Sequence, residues 1–138
     1  MIKKKFEFLE HTADIKIRIY GKSIEEIFEN AVLALSNYIS RGQKIKSKIV
    51  KKIKVNGADM ENLLLNFLDE TIYLFDARNF IISKAKVRIK DKKLDVELFG
   101  DRASNYKELD QVKAATYHEM YIKKLKAGRW EAQFVIDV

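Results

Sequence analysis

The chain has 138 residues, 47% hydrophobic and 34% charged, which is typical of a globular protein with a single domain over residues 1–138. It has no cysteine, which excludes disulfides, thiolate metal sites and cysteine nucleophiles. The formal net charge of +7 favours an anionic partner, although lysine and glutamate enrichment without proline is also typical of heat-adapted proteins. Its apolar runs are far shorter than a membrane span, so we expect a soluble, cytoplasmic protein with no membrane partner.

Two amphipathic helices are predicted in the first half of the chain. The first begins at Ser23, which forms a capping box with Glu26, and it ends near Arg41-Gly42. The second covers about residues 59–77, with Asp59 as its N-cap. Apolar residues recur at helical spacing in both segments, so each helix is predicted to bury one face. The second helix also has an acidic face, which indicates either solvated surface or a contact with a basic partner: Glu61, Asp69, Glu70 and Asp76.

The other segments alternate apolar and polar residues with a period of two, which is typical of half-buried strands. They cover residues 6–9, 15–20, 84–90, 94–98, 112–120 and 130–137. The junction at 91–93 predicts a tight hairpin, although it lacks the glycine of the favoured two-residue turns. Together these elements predict an α+β fold in which two helices pack on a mainly antiparallel β-sheet.

His11 and Asp14 stand at a predicted bend between the first two strands. An imidazole and a carboxylate three residues apart could share a metal ion or form a hydrogen-bonded pair. The alternative is a turn in which Asp14 caps backbone amides.

Asp137 and Val138 concentrate carboxylate oxygens at the end of the last predicted strand. If that strand pairs near Asp14, three or four oxygen ligands converge, which suits Mg²⁺ or Ca²⁺. A nitrogen ligand from His11 would favour Mn²⁺ or Zn²⁺. The alternative is a frayed terminus in which Asp137 is exposed.

The segment 112–120 contains Lys113 and His118. His118 shares strand parity with Met120 and Ile122, so we expect a core histidine, and we expect His118 and Glu119 to point to opposite faces. Neither this segment nor the rest of the sequence contains a nucleophile motif, a phosphate-binding loop or a zinc-protease motif. The residues alone therefore give no case for a free-standing enzyme.

Basic runs occur at 44–54, 84–93 and 123–129. The last two are predicted to lie on strand faces and could contact phosphates, and the alternative is a solvated basic surface. The sequence shows no aromatic residues interleaved with these cations in a base-stacking pattern.

The features of the chain, taken in order, resemble the archease family. The similarity begins with FEFLEHTAD at 6–14 and continues with the segment 63–68, which resembles the second helix of the family. It includes VKAATYH at 112–118 and the final strand at 130–138. Two details differ, because Gly100-Asp101-Arg102 stands where a glycine followed by glutamate is expected and the loop to Asp110 lacks an expected histidine.

This resemblance implies a non-catalytic, chaperone-like activator of an RtcB-type tRNA-splicing RNA ligase. Such a factor promotes guanylylation of the ligase histidine and multiple turnover, and it meets tRNA only through the ligase. The resemblance implies a divalent metal ion, either Ca²⁺, Mg²⁺ or Mn²⁺. It makes Asp14 and Asp137 the metal ligands, with His11 and Val138 as further candidates. The residues expected to support the site or the ligase contact are Asp101, Lys113 and His118. The alternatives are an RNA-binding module and a metal-dependent phosphoesterase.

Overall fold

The computed structural model describes residues 4–9 and 14–138. Within these ranges the strands are β1 (Phe6–Leu9), β2 (Asp14–Gly21), β3 (Ile49–Asn56), β4 (Phe80–Lys90), β5 (Lys93–Arg102), β6 (Ala114–Lys124) and β7 (Trp130–Asp137). The helices are α1 (Ile24–Ser40) and α2 (Met60–Arg78). The strands form two antiparallel sheets, one in the order β1-β2-β7-β6 and the other in the order β3-β5-β4.

The predicted α+β fold is confirmed, but the strands form two sheets rather than one. Strand β3 was predicted only as part of a basic run. Its register explains this, because Val50 lies on the outward face while Lys51 lies on the same side as Ile49 and Ile53. The Lys51 ammonium lies 5.4 Å from the centre of the Phe80 ring. The regular alternation that identifies a half-buried strand is therefore broken in β3.

Both helices begin at the predicted caps. The Ser23 hydroxyl accepts a hydrogen bond from the Glu26 amide at 3.1 Å, and the Glu26 carboxylate accepts one from the Lys22 amide. Asp59 accepts the Asn62 amide at 2.8 Å. Both helices end at a residue with left-handed backbone angles, as is usual at C-caps, and these residues are Arg41 and Asn79. Neither helix combines the length and hydrophobicity that crossing a membrane requires.

The core lies between the inward faces of the two sheets and the apolar faces of the two helices. Helix α1 contacts β2 and β4, and α2 contacts β6. The rings of Phe28 and Phe67 stack where the helices meet, with their centroids 6.2 Å apart. Burying a large apolar side chain stabilises the fold by about 1.5–3 kcal/mol. The largest side chains that are fully buried come from both helices and both sheets: Phe28, Phe67, Phe80, Phe134, Ile17, Ile19, Ile27, Leu35, Leu63, Leu64, Leu68 and Ile81.

Each helix also supplies one carboxylate to an edge strand. Glu29 of α1 accepts a hydrogen bond from the Val87 amide of β4 at 2.9 Å, and Asp69 of α2 accepts one from the Ala115 amide of β6 at 3.3 Å. Burial raises the pKa of both carboxyl groups, and the hydrogen bonds partly oppose that shift. Asp69 is exposed, as predicted for the acidic face of α2, and it also binds the neighbouring strand.

The turn between β4 and β5 confirms the predicted hairpin. Its two residues, Asp91 and Lys92, have φ angles of 51° and 61°. Two consecutive left-handed residues are characteristic of the type I′ turn, which follows the right-handed twist of paired strands. Aspartate tolerates this conformation, so the turn forms here without the glycine that such turns usually contain.

We predict that Glu29→Gln and Glu29→Ala have different effects on stability. The glutamine variant keeps an acceptor for the Val87 amide and removes a carboxylate whose ionisation burial disfavours, so its free energy of unfolding at pH 7 stays the same or rises. The alanine variant leaves the buried amide without that acceptor, which lowers the free energy of unfolding by about 1–3 kcal/mol. Urea denaturation measures both effects. Equal losses in the two variants would show that the negative charge itself is required.

Candidate functional site

Asp14 at the start of β2 and Asp137 at the end of β7 meet at one end of the four-stranded sheet. Strand β7 lies between β2 and β6, and Asp137 is directly opposite Asp14 on one side and Ala114 on the other. Directly opposed residues of antiparallel strands project to the same face, with their Cβ atoms about 4.5–5.5 Å apart. The last strand therefore does pair beside Asp14, and the small side chain of Ala114 completes the row.

The opposition of Asp14 and Asp137 is electrostatically unfavourable by itself, because like charges directly across a strand pair repel. A cation between them would remove this cost, and carboxylate oxygens are the ligands that Ca²⁺, Mg²⁺ and Mn²⁺ prefer. Val138 follows this pair and is 37% exposed. His11 lies outside the described residues. Among residues 4–9 and 14–138, no three histidine or acidic residues are grouped closely enough to hold a metal ion. The two aspartates fit a hard cation as part of a ligand set.

The end of β7 is held on both sides, which opposes the frayed-terminus alternative. The Lys113 amide donates a hydrogen bond to the Asp137 carbonyl at 2.8 Å, in addition to the pairing with β2. Lys113 itself is exposed, and its backbone adjoins that of Asp137. The structure therefore brings Lys113 to the row of Asp14 and Asp137.

His118 lies on a four-residue bulge of β6 rather than in the core. Four residues, 117–120, separate two paired positions of β6 where β7 has only Phe134, and Glu119 has a φ angle of 56°. The His118 side chain is 64% exposed, and its Nε2 lies 3.5 Å from the Glu119 carboxylate. The predictions of a core histidine and of opposite directions for His118 and Glu119 are therefore wrong, because the bulge interrupts the alternation of the strand.

The bulge is connected to the aspartate pair through Lys16. The Lys16 ammonium lies 3.0 Å from the Glu119 carboxylate. Lys16 follows Asp14 by two residues on β2, so the two side chains lie on the same face. His118 therefore lies beside Glu119, which is ion-paired with Lys16 on the strand that carries Asp14.

An ordered polar layer covers the outward face of the four-stranded sheet. The Arg18 guanidinium donates to the Gln133 side-chain oxygen at 2.9 and 3.3 Å, and the Gln133 amide donates to the Glu119 carbonyl at 2.9 Å. Gln133 is 5% exposed and Val135 is fully buried, although both lie on the outward side of β7. This layer was not predicted from the sequence, because polar residues at alternate positions also describe an ordinary solvated face.

Two tyrosines extend this layer to the outer strands. Tyr20 donates to the Glu7 carboxylate at 2.6 Å, and Tyr121 donates to the Glu131 carboxylate at 2.7 Å. Burial, reinforced by these acceptors, raises the pKa of each tyrosine to about 12. The hydrogen bond from Tyr20 also holds the pKa of Glu7 below its usual value. The layer therefore joins all four strands beside the aspartate row.

Asp101 lies in the other sheet, on β5, and is 3% exposed. It accepts hydrogen bonds from the Arg102 amide at 2.8 Å, the Asn105 side chain at 3.1 Å and the Tyr106 hydroxyl at 2.9 Å. Burial acts to raise the pKa of Asp101, but these donors outweigh it and hold the pKa below its usual value. A carboxylate that is this deeply buried cannot contact a partner directly. Asp101 instead anchors the beginning of the connection that ends at Lys113.

We predict that the hydroxyl groups of Tyr20 and Tyr121 ionise only near pH 12 in the folded protein. Their pKa values are raised in the folded protein, so their contribution to stability is present below pH 10 and is lost as the pH rises towards 12. An ultraviolet absorbance titration of Tyr20→Phe should lose a component near pH 12. The control Tyr73→Phe, at a position that is 46% exposed, should not lose that component. An ordinary tyrosine pKa for Tyr20 would contradict the hydrogen-bonded layer.

The model of the archease protein family (MTH1598/TM1083) matches residues 6–138 of this chain. The archease of Pyrococcus abyssi is 40% identical over 141 aligned positions, which cover 98% of this chain and 99% of that protein. The archease of Methanosarcina mazei is 35% identical, and the alignment covers 98% of this chain and 97% of the relative.

Solved structures show the same fold. The solution structure of protein 1598 of Methanobacterium thermoautotrophicum aligns with a TM-score of 0.73 at 28% identity, covering 97% of this chain and 99% of that one. The crystal structure of an archease from Thermotoga maritima, described as a possible chaperone, aligns with a TM-score of 0.61. At 20% identity, with 100% and 98% coverage, it shows the fold alone. The family match and the identity to the curated relatives establish that this chain belongs to the archease family.

Proposed function

We propose that this protein is a non-catalytic activator of an RtcB-type tRNA-splicing RNA ligase and that Asp14 and Asp137 hold a divalent cation in that role. The observation that carries the proposal is the direct opposition of the two aspartates across β2 and β7. Membership of the archease family supports a role as an accessory protein. Like charges directly opposite each other on a strand pair repel, and a cation held between them would offset that repulsion.

The described residues have distinct parts in this proposal. Asp14 and Asp137 supply oxygen ligands, and the bound Ca²⁺, Mg²⁺ or Mn²⁺ would neutralise and orient anionic oxygens of the ligase or its nucleotide. Lys113, whose amide is fixed to Asp137, could form a charge-assisted hydrogen bond with a phosphate or a carboxylate of the ligase. The polar layer around Arg18 and Gln133 holds β2 and β7 in register beneath the ligands.

His118 belongs, in this proposal, to the contact with the ligase rather than to catalysis. Its imidazole is mostly exposed and lies beside Glu119 on the bulge. The Glu119 carboxylate also pairs with Lys16, so a partner that engages His118 would meet a group already connected to the strand of Asp14. The bulge therefore forms a recognition element next to the metal ligands.

We predict that Asp14→Asn and Asp137→Asn each reduce activation of the ligase by about tenfold or more. Replacement of even an outer-sphere partner of a metal typically costs about 10–100-fold in affinity or activity. The measurement is guanylylation and multiple-turnover ligation by a matching RtcB-type ligase with substoichiometric amounts of this protein. Asp76→Asn, which changes an exposed carboxylate on α2, is the matched control and should retain full activation.

Two further measurements separate the proposal from its alternatives. Calorimetric titration with Ca²⁺, Mg²⁺ and Mn²⁺ should show binding to the parent protein and weaker binding to both aspartate variants. Full activation by folded variants would refute the role of the aspartate pair. Failure of the parent protein to activate a competent ligase would refute the accessory function. Metal-dependent cleavage of phosphoesters by the isolated protein would instead support an enzyme.

A further inference from the structure

The outward face of the β3-β5-β4 sheet contains most of the excess positive charge of the protein. Its cations are Lys52, Lys54, Lys84, Lys86, Arg88, Lys90 and Lys93. All seven are exposed, and across the paired rows from Lys93 to Phe99 the same face contains two carboxylates, those of Asp95 and Glu97. The face, here called the basic sheet face, thus has an excess of five positive charges, compared with +7 for the whole chain.

The register arranges these charges in parallel lines. Asp95 and Glu97 lie on the central strand β5, so cations on β3 and β4 flank them on both sides. Side chains on the same face of a strand repeat at about 7 Å, which is similar to the spacing of successive phosphates along a nucleic acid strand. A groove of about 370 Å³ runs between these lines and is lined in part by Lys52, Lys86 and Arg88.

The cations of this face are available to an external partner. Lys54 and Asp95 are 4.0 Å apart, and their side chains are 86% and 67% exposed. An ion pair this exposed contributes little to stability and does not hold its side chains in place. Two carboxylates cannot neutralise seven cations, so the face keeps a net positive charge that a polyanion can contact.

An aromatic and an aliphatic side chain share one end of the basic sheet face. Phe99 on β5 is directly opposite Val50 on β3 and Lys84 on β4. Val50 is 52% exposed, and the Lys84 ammonium lies 4.9 Å from the centre of the Phe99 ring. An aromatic ring beside cations on a sheet surface can stack an unpaired base while the cations contact the backbone. Phe99 is partly exposed, and a stacking position of this kind favours RNA as the polyanion.

We propose that the basic sheet face binds single-stranded or looped RNA through its phosphates, with little dependence on base sequence. The charge excess and the line spacing provide the phosphate contacts, and Phe99 provides a stacking position. This interaction is independent of the aspartate pair, which lies in the other sheet. It also adds a direct contact with RNA to the indirect one that the family resemblance implies.

The test compares two triple variants with the same net charge. Lys52→Gln/Lys86→Gln/Arg88→Gln removes three cations from the basic sheet face. The control is Lys22→Gln/Lys107→Gln/Lys126→Gln, which removes three exposed cations elsewhere. Fluorescence anisotropy measures the binding of a labelled single-stranded RNA and of a tRNA to the isolated protein across a series of salt concentrations. No ligase is present, so the result is independent of the proposed function.

We expect the parent protein to bind RNA with an association constant that falls as salt rises. For each phosphate contact, its logarithm should decrease by about 0.7 per tenfold increase in salt concentration. The face variant should bind about tenfold or more weakly and lose about two units of that slope, because three contacts are removed. The control should stay within about threefold of the parent. Phe99→Leu should weaken binding to single-stranded RNA and leave the salt slope unchanged, because it removes stacking and no charge.

Three results would overturn the proposal. Equal losses in the two triple variants would show a diffuse charge effect without a defined face. Competition by polyglutamate as effective as that by RNA of equal charge would identify an acidic protein as the fitting partner. The third is the absence of RNA binding by the parent protein at low salt. Circular dichroism confirms that each variant is folded, so a loss of binding reports on the surface.

Discussion

The position of β7 between β2 and β6 is the constraint on which the rest of the structure depends. Its inward residues Phe134 and Ile136 are fully buried in the core, so the strand cannot leave the sheet without exposing the centre of the protein. Both of its edges are paired, which fixes the register of β2 and of β6 against β7. A shift of one residue would turn every side chain of β7 to the opposite face. Packing of the core therefore determines that Asp137 faces Asp14.

The two sheets use their outward faces in physically different ways. On the four-stranded sheet, arginine, glutamine and tyrosine side chains form short hydrogen bonds with one another or with carboxylates, and Gln133 is buried as a result. Partners of this kind restrict rotamers and hold the strands at fixed spacing. On the three-stranded sheet, long exposed lysines predominate, and their ion pairs are screened by solvent. The first face suits a site that needs defined geometry, whereas the second suits contacts that depend on charge and salt.

The features that could be predicted from the sequence are those that depend on local chemistry. The caps at Ser23 and Asp59, both helices and the hairpin at 91–92 follow from neighbouring residues, and all of them are present. Whether the last strand pairs near Asp14 could not be predicted, because no local rule determines which strands become neighbours. Strand β3 was missed because Lys51 and Val50 stand on the faces where the alternation rule expects the opposite kind of residue.

The other errors arise from contacts between distant segments. Strand alternation predicted that His118 lies in the core, but the bulge around Glu119 interrupts that alternation. No sequence signal indicates the extra residues of the bulge.

The small number of candidate ligands among the described residues has a consequence for the proposed function. Ca²⁺ takes roughly six to eight oxygen ligands and Mg²⁺ takes about six, so two carboxylates leave several coordination positions for other donors. Asp137 is exposed, and those positions therefore face solvent or a bound partner rather than the core. An ion held in this way gains ligands when carboxylates or phosphates of a partner approach it. The affinity for the ion and the affinity for the partner are then thermodynamically linked, so each increases the other by the same factor. In the proposed function, support from β2 and β7 would make this coupling efficient, because little binding energy would be lost in ordering the two aspartates.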